Sequence, residues 1–406
     1  MLVARFSARS ATHLRSTRLV STQASPRPSP RPTSRLTQPP PTPSLVSPSR
    51  PSARLTPFLR TMSSSTAQNL STKMRACQIQ EQGPIEVIQV RDVDVPQLAQ
   101  GQVLVKVEYA GVNFIDTYFR GGIYKPQLPY ILGTESAGTV AAVGPGVSEE
   151  SHGFKVGDRV AAYTAGGSFA EYALAAADKV AKLPEGFSTK DAATVLTQGL
   201  TALTFVKEAH EVKPGQFILV QAAAGGLGLL LVQLAKALGA TVIGTTSTAE
   251  KAEIAKKAGA DHVILYGEGR DVVGEVYRVT GGEGIDRGVH GVFDGVGKDT
   301  FDMDFDLLRR KGTLVTLGNA SGAVPPFAPL RLGAKNLKVC RPVLNQYVHT
   351  REEFQTYSTE LFDLVQQGKL KLAVHGEYPL TTEGMRQTQI DITSRKTSGK
   401  LLVKVA

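Results

Sequence analysis

The sequence predicts an α/β protein in which a β-rich domain precedes a doubly wound parallel sheet covered by helices on both faces. Two observations carry this prediction. From residue 217 to about 343, short apolar runs of strand length alternate with helical stretches, the rhythm of successive βαβ units. From 74 to 196, strand-like runs are separated by Gly and Pro turns, and helical periodicity is scarce.

Taken in order, the first domain shows strands at 103–108, 138–143 and 158–163, followed by a helical stretch at about 188–206. The second shows strands at 217–221, 241–245, 262–266, 289–294 and 313–317. Helices are predicted between them at 227–238, 248–258, 271–279 and 299–310, with Gly239 and Gly259 closing the first two. Ser247-x-x-Glu250 reads as a capping box for the second of these. The tail has a helical pattern at 351–367 and a last strand at 400–405 that is expected to rejoin the first domain. The predicted division is therefore 1–73 as a leader, 74–197 with 344–406 as the first domain, and 198–343 as the second.

The junction of the first strand and helix of the second domain carries chemistry. The apolar run ends in Ala222-Ala-Ala-Gly-Gly-Leu-Gly228, which matches the dinucleotide fingerprint G-x-G-x-x-G as Ala223-x-Gly225-x-x-Gly228. Strand, tight turn and helix N-terminus present backbone N–H groups to a pyrophosphate, and Gly225 and Gly228 fall where a side chain would obstruct phosphate or strand. The second strand ends in Thr245-Thr-Ser-Thr248, without the Asp or Glu that would bind a ribose 2′-hydroxyl. Ser247 and Lys251 suit a 2′-phosphate instead, which favours NADPH over NADH.

Charge is unevenly placed. The 406-residue chain has a formal net charge of +10, yet no acid precedes Glu81, and 12 of the 46 Lys and Arg lie at or before Arg75. The remaining 34 bases face 36 acids, a balance of −2, so the folded body lacks the basic excess of a nucleic-acid binder. The Arg- and Ser-rich leader reads as a mitochondrial transit peptide directing the chain to the matrix, and Met62 offers an internal start for a cytoplasmic form. Two cysteines, Cys77 and Cys340, exclude a disulfide framework and a Cys₄ zinc site. Gln221, Gln233 and Lys236 interrupt the apolar stretch 218–238, so a buried strand and helix are expected there, not a membrane span.

Four motifs now point to a family. Gly111-Val-Asn-Phe-Ile-Asp-Thr-Tyr-Phe-Arg120, Gly133-Thr-Glu-Ser-Ala-Gly-Thr-Val140, the turn at 222–228 and Gly318-Asn-Ala-Ser-Gly322 resemble the zeta-crystallin-type quinone oxidoreductases of the medium-chain dehydrogenase/reductase superfamily. The resemblance runs from about Met74 to the C-terminus. It implies a GroES-like catalytic domain joined to a Rossmann domain, usually as a homodimer. Zinc-dependent alcohol dehydrogenases of the superfamily have Gly-His-Glu where this chain has Gly133-Thr134-Glu135, so the zinc-ligating His is missing, and no Cys lies nearby to replace it. No metal site is expected. None of the 11 tyrosines is followed four residues later by Lys, which excludes the Tyr-x-x-x-Lys pair of short-chain dehydrogenases.

The same resemblance assigns roles. Asn113 and Asp116 would lie near the nicotinamide ribose and the floor of the site, Tyr118 and Tyr124 would line a quinone cleft, and Arg341 would face it. Thr201 would contact the nicotinamide side, with Gly318 and Asn319 at a strand end beside it. Gly225, Gly226, Leu227 and Gly228 would cradle the pyrophosphate, Tyr266 would pack by the adenosine, and Arg395 would reach the phosphates. Reduction of a quinone asks for proximity and for donors near the acceptor oxygen. Reduction of α,β-unsaturated aldehydes or ketones on the same scaffold is the alternative reaction. AU-rich RNA binding and a structural cofactor-binding role are implied only by relatives of the lens type.

Overall fold

The computed structural model describes residues 71–406. The leader up to residue 70, including Met62, lies outside the described residues.

The β-rich part contains two sheets. A three-stranded sheet has the order Gln89–Asp94, Lys73–Ile79, Tyr130–Ile131. The larger sheet runs Val374–Pro379, Lys400–Lys404, Gln102–Val112, Glu135–Val143, Arg159–Tyr163, Val180–Lys182, and Tyr172–Ala176 also pairs with Gln102–Val112. The long strand Gln102–Val112 holds this sheet together because it feeds two cores. Val103 and Val105 pack with Val140 and Phe154, while Val107, Ala110 and Val112 pack with Phe169 and Leu401. The last strand rejoins it as expected, Leu401 opposite Val112 and Leu402 opposite Gly111.

The third sheet has six parallel strands, in the order His262–Leu265, Thr241–Thr246, Phe217–Val220, Val289–Asp294, Leu308–Thr316, Lys338–Cys340. Chain order reverses direction at Phe217–Val220, the switch point beside which a doubly wound sheet binds ligands at the C-terminal strand ends. Helices Gly226–Ala237, Ala249–Lys257 and Val272–Thr280 agree with the periodicity to within a residue or two. The fourth is shorter than predicted: it stops at Leu307, and Leu308 already belongs to the next strand. Leu308 pairs with Val289, and the register then slips so that Thr313 pairs with Gly291. Lys311 takes a φ of +65° in the resulting bulge. Pairing and burial of Leu308 override the helical propensity of 308–310.

Helix Thr189–Thr204 runs unbroken through the division expected at 197/198 and continues into a π-turn, Phe205–Ala209. One core cluster accordingly draws on both halves, with Ala137 and Leu402 from the β-rich part, Leu196 and Leu200 from the helix, and Val220 and Phe293 from the parallel sheet.

Candidate active site

The glycine turn is built by backbone crowding. Ala222 adopts a φ of +52°, so the left-handed residue stands one position before the Ala223 that the spacing marks as the first fingerprint position. Ala223 is instead fully buried against the second strand, where a Cβ on Gly244 would come within 2.7 Å of it. A Cβ on Gly228 would strike the Ala222 carbonyl and lie 2.9 Å from Ala223 Cα, and one on Gly226 would strike the Gln198 amide. Gly225 is different: its nearest obstacle is Ala222 O at 3.3 Å. It is also the N-cap of helix Gly226–Ala237, and no side chain caps that end. The first turn of the helix is therefore capped by no side chain and lacks Cβ atoms at 225, 226 and 228, which suits a pyrophosphate.

At the adjacent strand end, Thr245 and Thr246 are buried and no acid follows. The capping expectation shifts by one residue. Thr248, not Ser247, caps helix Ala249–Lys257 by accepting from Lys251 N–H at 3.3 Å. An extended Thr248 (φ −138°) places its hydroxyl over the first turn, and the half-buried Ser247 is left out of the cap. Lys251 Nζ donates to the Arg395 carbonyl at 2.6 Å, and burial lowers its pKa. Arg395 sits just past helix Thr382–Thr393 with φ +61°, its guanidinium exposed and 3.3 Å from Asp299. Tyr266 donates its N–H to Thr246 O at 3.0 Å, closing the same corner. Lys251 thus meets the Arg395 carbonyl and Tyr266 is tied to the end of the second strand, while the Arg395 guanidinium turns to Asp299.

The other end of the site joins the two parts of the molecule. Tyr118, on helix Phe114–Gly121, is 7% exposed, and its hydroxyl accepts from Asn319 N–H at 2.8 Å. Burial pushes its phenol pKa up, opposed by that N–H and by the Arg341 charge. Arg341 donates to Thr316 O at 3.0 Å and Gly318 O at 3.2 Å, which holds its guanidinium beside the same turn. Gly318 is required there, because a Cβ would lie 2.9 Å from Gly295 Cα. Tyr124, 38% exposed, meets Tyr118 edge-on at 5.6 Å. Thr201 lies one helical turn after Thr197 and donates to its carbonyl at 2.7 Å.

The floor beneath is charged and sealed. Asn113 is 6% exposed, and its amide turns inward: Nδ2 donates to Glu135 Oε1 at 2.6 Å, and Oδ1 accepts from Lys400 Nζ at 2.8 Å. Asp116 is fully buried; its Oδ2 accepts from Asn113 N–H at 2.8 Å, while Oδ1 has no partner. Burial pushes its carboxyl up to about 7, aided by the Glu135 charge and opposed by Asn113 N–H and Lys400. Glu135 and Lys400 are the two residues the sequence reading passed over. Glu135 lies inside the Gly133–Val140 motif, beside the Thr134 that replaces a zinc-ligating His. Lys400 heads the strand Lys400-Leu-Leu-Val-Lys404, and nothing in that pattern sets it apart from Lys404.

Among the described residues, no group of three or more His, Cys, Asp or Glu is placed to hold a metal ion. Thr134 is buried with its hydroxyl unpartnered, and the Glu135 carboxylate is taken up by Lys400, Asn113 and Thr197 N–H. Nor is any described helix long and apolar enough to cross a membrane.

The chain is similar to known proteins in sequence and fold. Residues 99–185 match the family described as Alcohol dehydrogenase GroES-like domain, and 226–363 match Zinc-binding dehydrogenase. A probable quinone oxidoreductase of Schizosaccharomyces pombe is 41% identical over 326 residues, covering 80% of this chain and 95% of that protein. A 2-haloacrylate reductase of a Burkholderia species is 39% identical over 298 residues, covering 71% and 87%. The solved structure of Escherichia coli quinone oxidoreductase complexed with NADPH is 40% identical, has a TM-score of 0.76 and covers 81% of this chain and 99% of that one. The expected GroES-like and Rossmann architecture is therefore present, and the chain belongs to the quinone oxidoreductase family of the medium-chain dehydrogenase/reductase superfamily.

Proposed function

We infer that this protein reduces quinones with NADPH as the electron donor. The observation that carries this reading is the Tyr118–Asn319–Arg341 cluster. It sets a phenol and a guanidinium at the strand ends, in a molecule whose glycine turn opens a helix with no side-chain cap and whose second strand ends without an acid.

Gly225, Gly226, Leu227 and Gly228 would hold the pyrophosphate of NADPH, and Ser247, Lys251, Tyr266 and Arg395 its adenosine end. Thr201, Gly318 and Asn319 would flank the nicotinamide. Bound there, NADPH supplies the hydride. The Tyr118 hydroxyl accepts from Asn319 and keeps its own proton, so it can still donate to an acceptor oxygen. Arg341 favours negative charge developing on that oxygen. Tyr124 offers an aromatic face at the mouth. Asn113 and Asp116 shape the floor beneath the cofactor.

The test is oxidation of NADPH and NADH by the full chain, with 1,2-naphthoquinone and 2-hexenal as acceptors. Turnover with the quinone, faster with NADPH, is expected. A second reading, reduction of activated double bonds, is favoured by the similarity to the 2-haloacrylate reductase. Higher kcat/KM with 2-hexenal would move the assignment there.

Three finer points belong to the same proposal. The edge strand Lys338–Cys340 pairs on one side only among the described residues, which supports a homodimer formed across it. Sedimentation at micromolar concentration tests that. The acid-free leader supports import into mitochondria, tested by locating a fluorescent fusion with and without residues 1–61. The division into two parts is supported by the separate sheets, with helix Thr189–Thr204 shared across 197/198, and limited proteolysis at the 343/344 junction tests it.

A further inference from the structure

A buried charge lies under the floor of the site, and the chemistry above does not use it. Lys400 is 1% exposed and Glu135 is 0% exposed. The ammonium donates to Glu135 Oε1 at 2.5 Å and to Asn113 Oδ1 at 2.8 Å. Glu135 Oε1 also accepts from Asn113 Nδ2 at 2.6 Å, and Oε2 accepts from Thr197 N–H at 2.7 Å. Attraction within such a pair is largely offset by the cost of taking both charges out of water, so stability is a weak reason for its presence. Orientation is a better one. An amide has two different ends, and here each end meets the group that suits it, oxygen to ammonium and nitrogen to carboxylate. With an apolar pair beneath it, the amide of Asn113 would lose both constraints.

The placement of Lys400 adds a second reason. The preceding residue, Gly399, forms a parallel β-bridge with Gly225 of the glycine turn. Lys400 also borders a cavity of about 10 Å³, next to Gln198 and Gly226. The chain therefore touches the phosphate end of the site through Gly399 and the floor through Lys400, one residue apart.

We propose that Lys400, paired with Glu135, is a positioning residue that fixes the Asn113 amide relative to the glycine turn and so sets the height of the floor beneath the reacting ring. This rests on the quinone-reductase reading. Lys400 acts through Asn113, while the backbone bridge at Gly399 leaves the grip on the phosphates in place.

The experiment uses the full chain with NADPH and 1,2-naphthoquinone. Wild-type turnover is measured first, and its absence with both quinone and enal counts against the activity, not against the positioning role. The K400M/E135Q double variant removes both charges and leaves neither buried alone. N113L removes the amide and keeps the ion pair. The double variant is expected to melt within a few degrees of wild type and bind NADPH within about threefold by fluorescence, while kcat falls about tenfold or more. N113L is expected to lose a similar factor, and the triple variant no more than either, because the two act on one element. A double variant with kcat within about twofold of wild type overturns the proposal, as does a triple variant whose loss is the product of the two. Should the double variant not fold, Lys400→Arg replaces it, keeping the charge but moving the donor off Asn113. Lower kcat at unchanged NADPH affinity then upholds the role, and unchanged kcat overturns it.

Discussion

The two ends of the site are made in different ways. The proposed phosphate end is local: one strand, one turn and one helix within 217–237 carry the backbone donors, with main-chain crowding at Gly228 and the Gln198 amide against Gly226. The reaction end is assembled from residues 113, 118, 135, 197, 319, 341 and 400, which meet only after two sheets and a shared helix have packed. The first resists almost any change of side chain but tolerates distant ones. The second depends on side-chain chemistry and on contacts far apart in the chain.

The largest expected effect breaks the local end. In Gly228→Val, the new side chain would collide with Ala222 O and Ala223 Cα, neither of which can move without opening the turn. A cost of about 3 kcal/mol or more is expected, read as a loss of NADPH affinity of at least about a hundredfold by fluorescence titration. Retained affinity would show that the turn is looser than its crowding implies.

Next is the buried carboxyl of the assembled end. Asp116 is pushed up to about 7 in the folded protein, against roughly 3.9 when unfolded. Between those values the folded state binds the extra proton. Its contribution to stability is therefore full below about pH 4 and is lost as pH rises through about 7. Asp116→Asn should flatten the fall in stability between pH 4 and 7, by up to about 4 kcal/mol if the whole shift is expressed. Denaturant melts of both proteins across that range measure it, and parallel curves would refute it.

Lys251→Ala tests the proposed 2′-phosphate corner at the end of the second strand. A loss of about tenfold in NADPH affinity, with NADH unchanged, is expected, since the 2′-phosphate is the group that distinguishes the two cofactors at that ammonium. Equal losses for both cofactors would make Lys251 a tether for the Arg395 carbonyl and nothing more.

The two tyrosines sharpen the contrast with smaller effects. Tyr118→Phe leaves Asn319 N–H without its acceptor, so kcat/KM for 1,2-naphthoquinone should fall about five- to tenfold, near the 1 kcal/mol of an ordinary hydrogen bond. Tyr124→Phe keeps the ring that faces Tyr118, and kcat/KM should change by less than about twofold. The reverse order would move the proton donor from the buried phenol to the exposed one.

Sequence alone determined the parts of this protein that depend on neighbours in the chain. The βαβ rhythm, the glycine turn, the strand end without an acid, the lost zinc-ligating His and the four family motifs are all short-range patterns, set by periodicity, backbone freedom and residue type. Errors at this level stayed local: the αL residue at Ala222, the cap at Thr248, and the strand that begins at Leu308. Tertiary structure alone decided the burial of charge. Glu135 and Lys400 are 265 residues apart, and nothing within either segment says that they meet. It likewise turned the Asn113 amide inward and placed the Tyr118 hydroxyl against Asn319 N–H, 201 residues away. The physical reason is that a lysine in a strand reads as solvated until a neighbouring sheet and helix remove the water from around it. Only the packed fold then supplies the carboxylate and the amide that take the water's place.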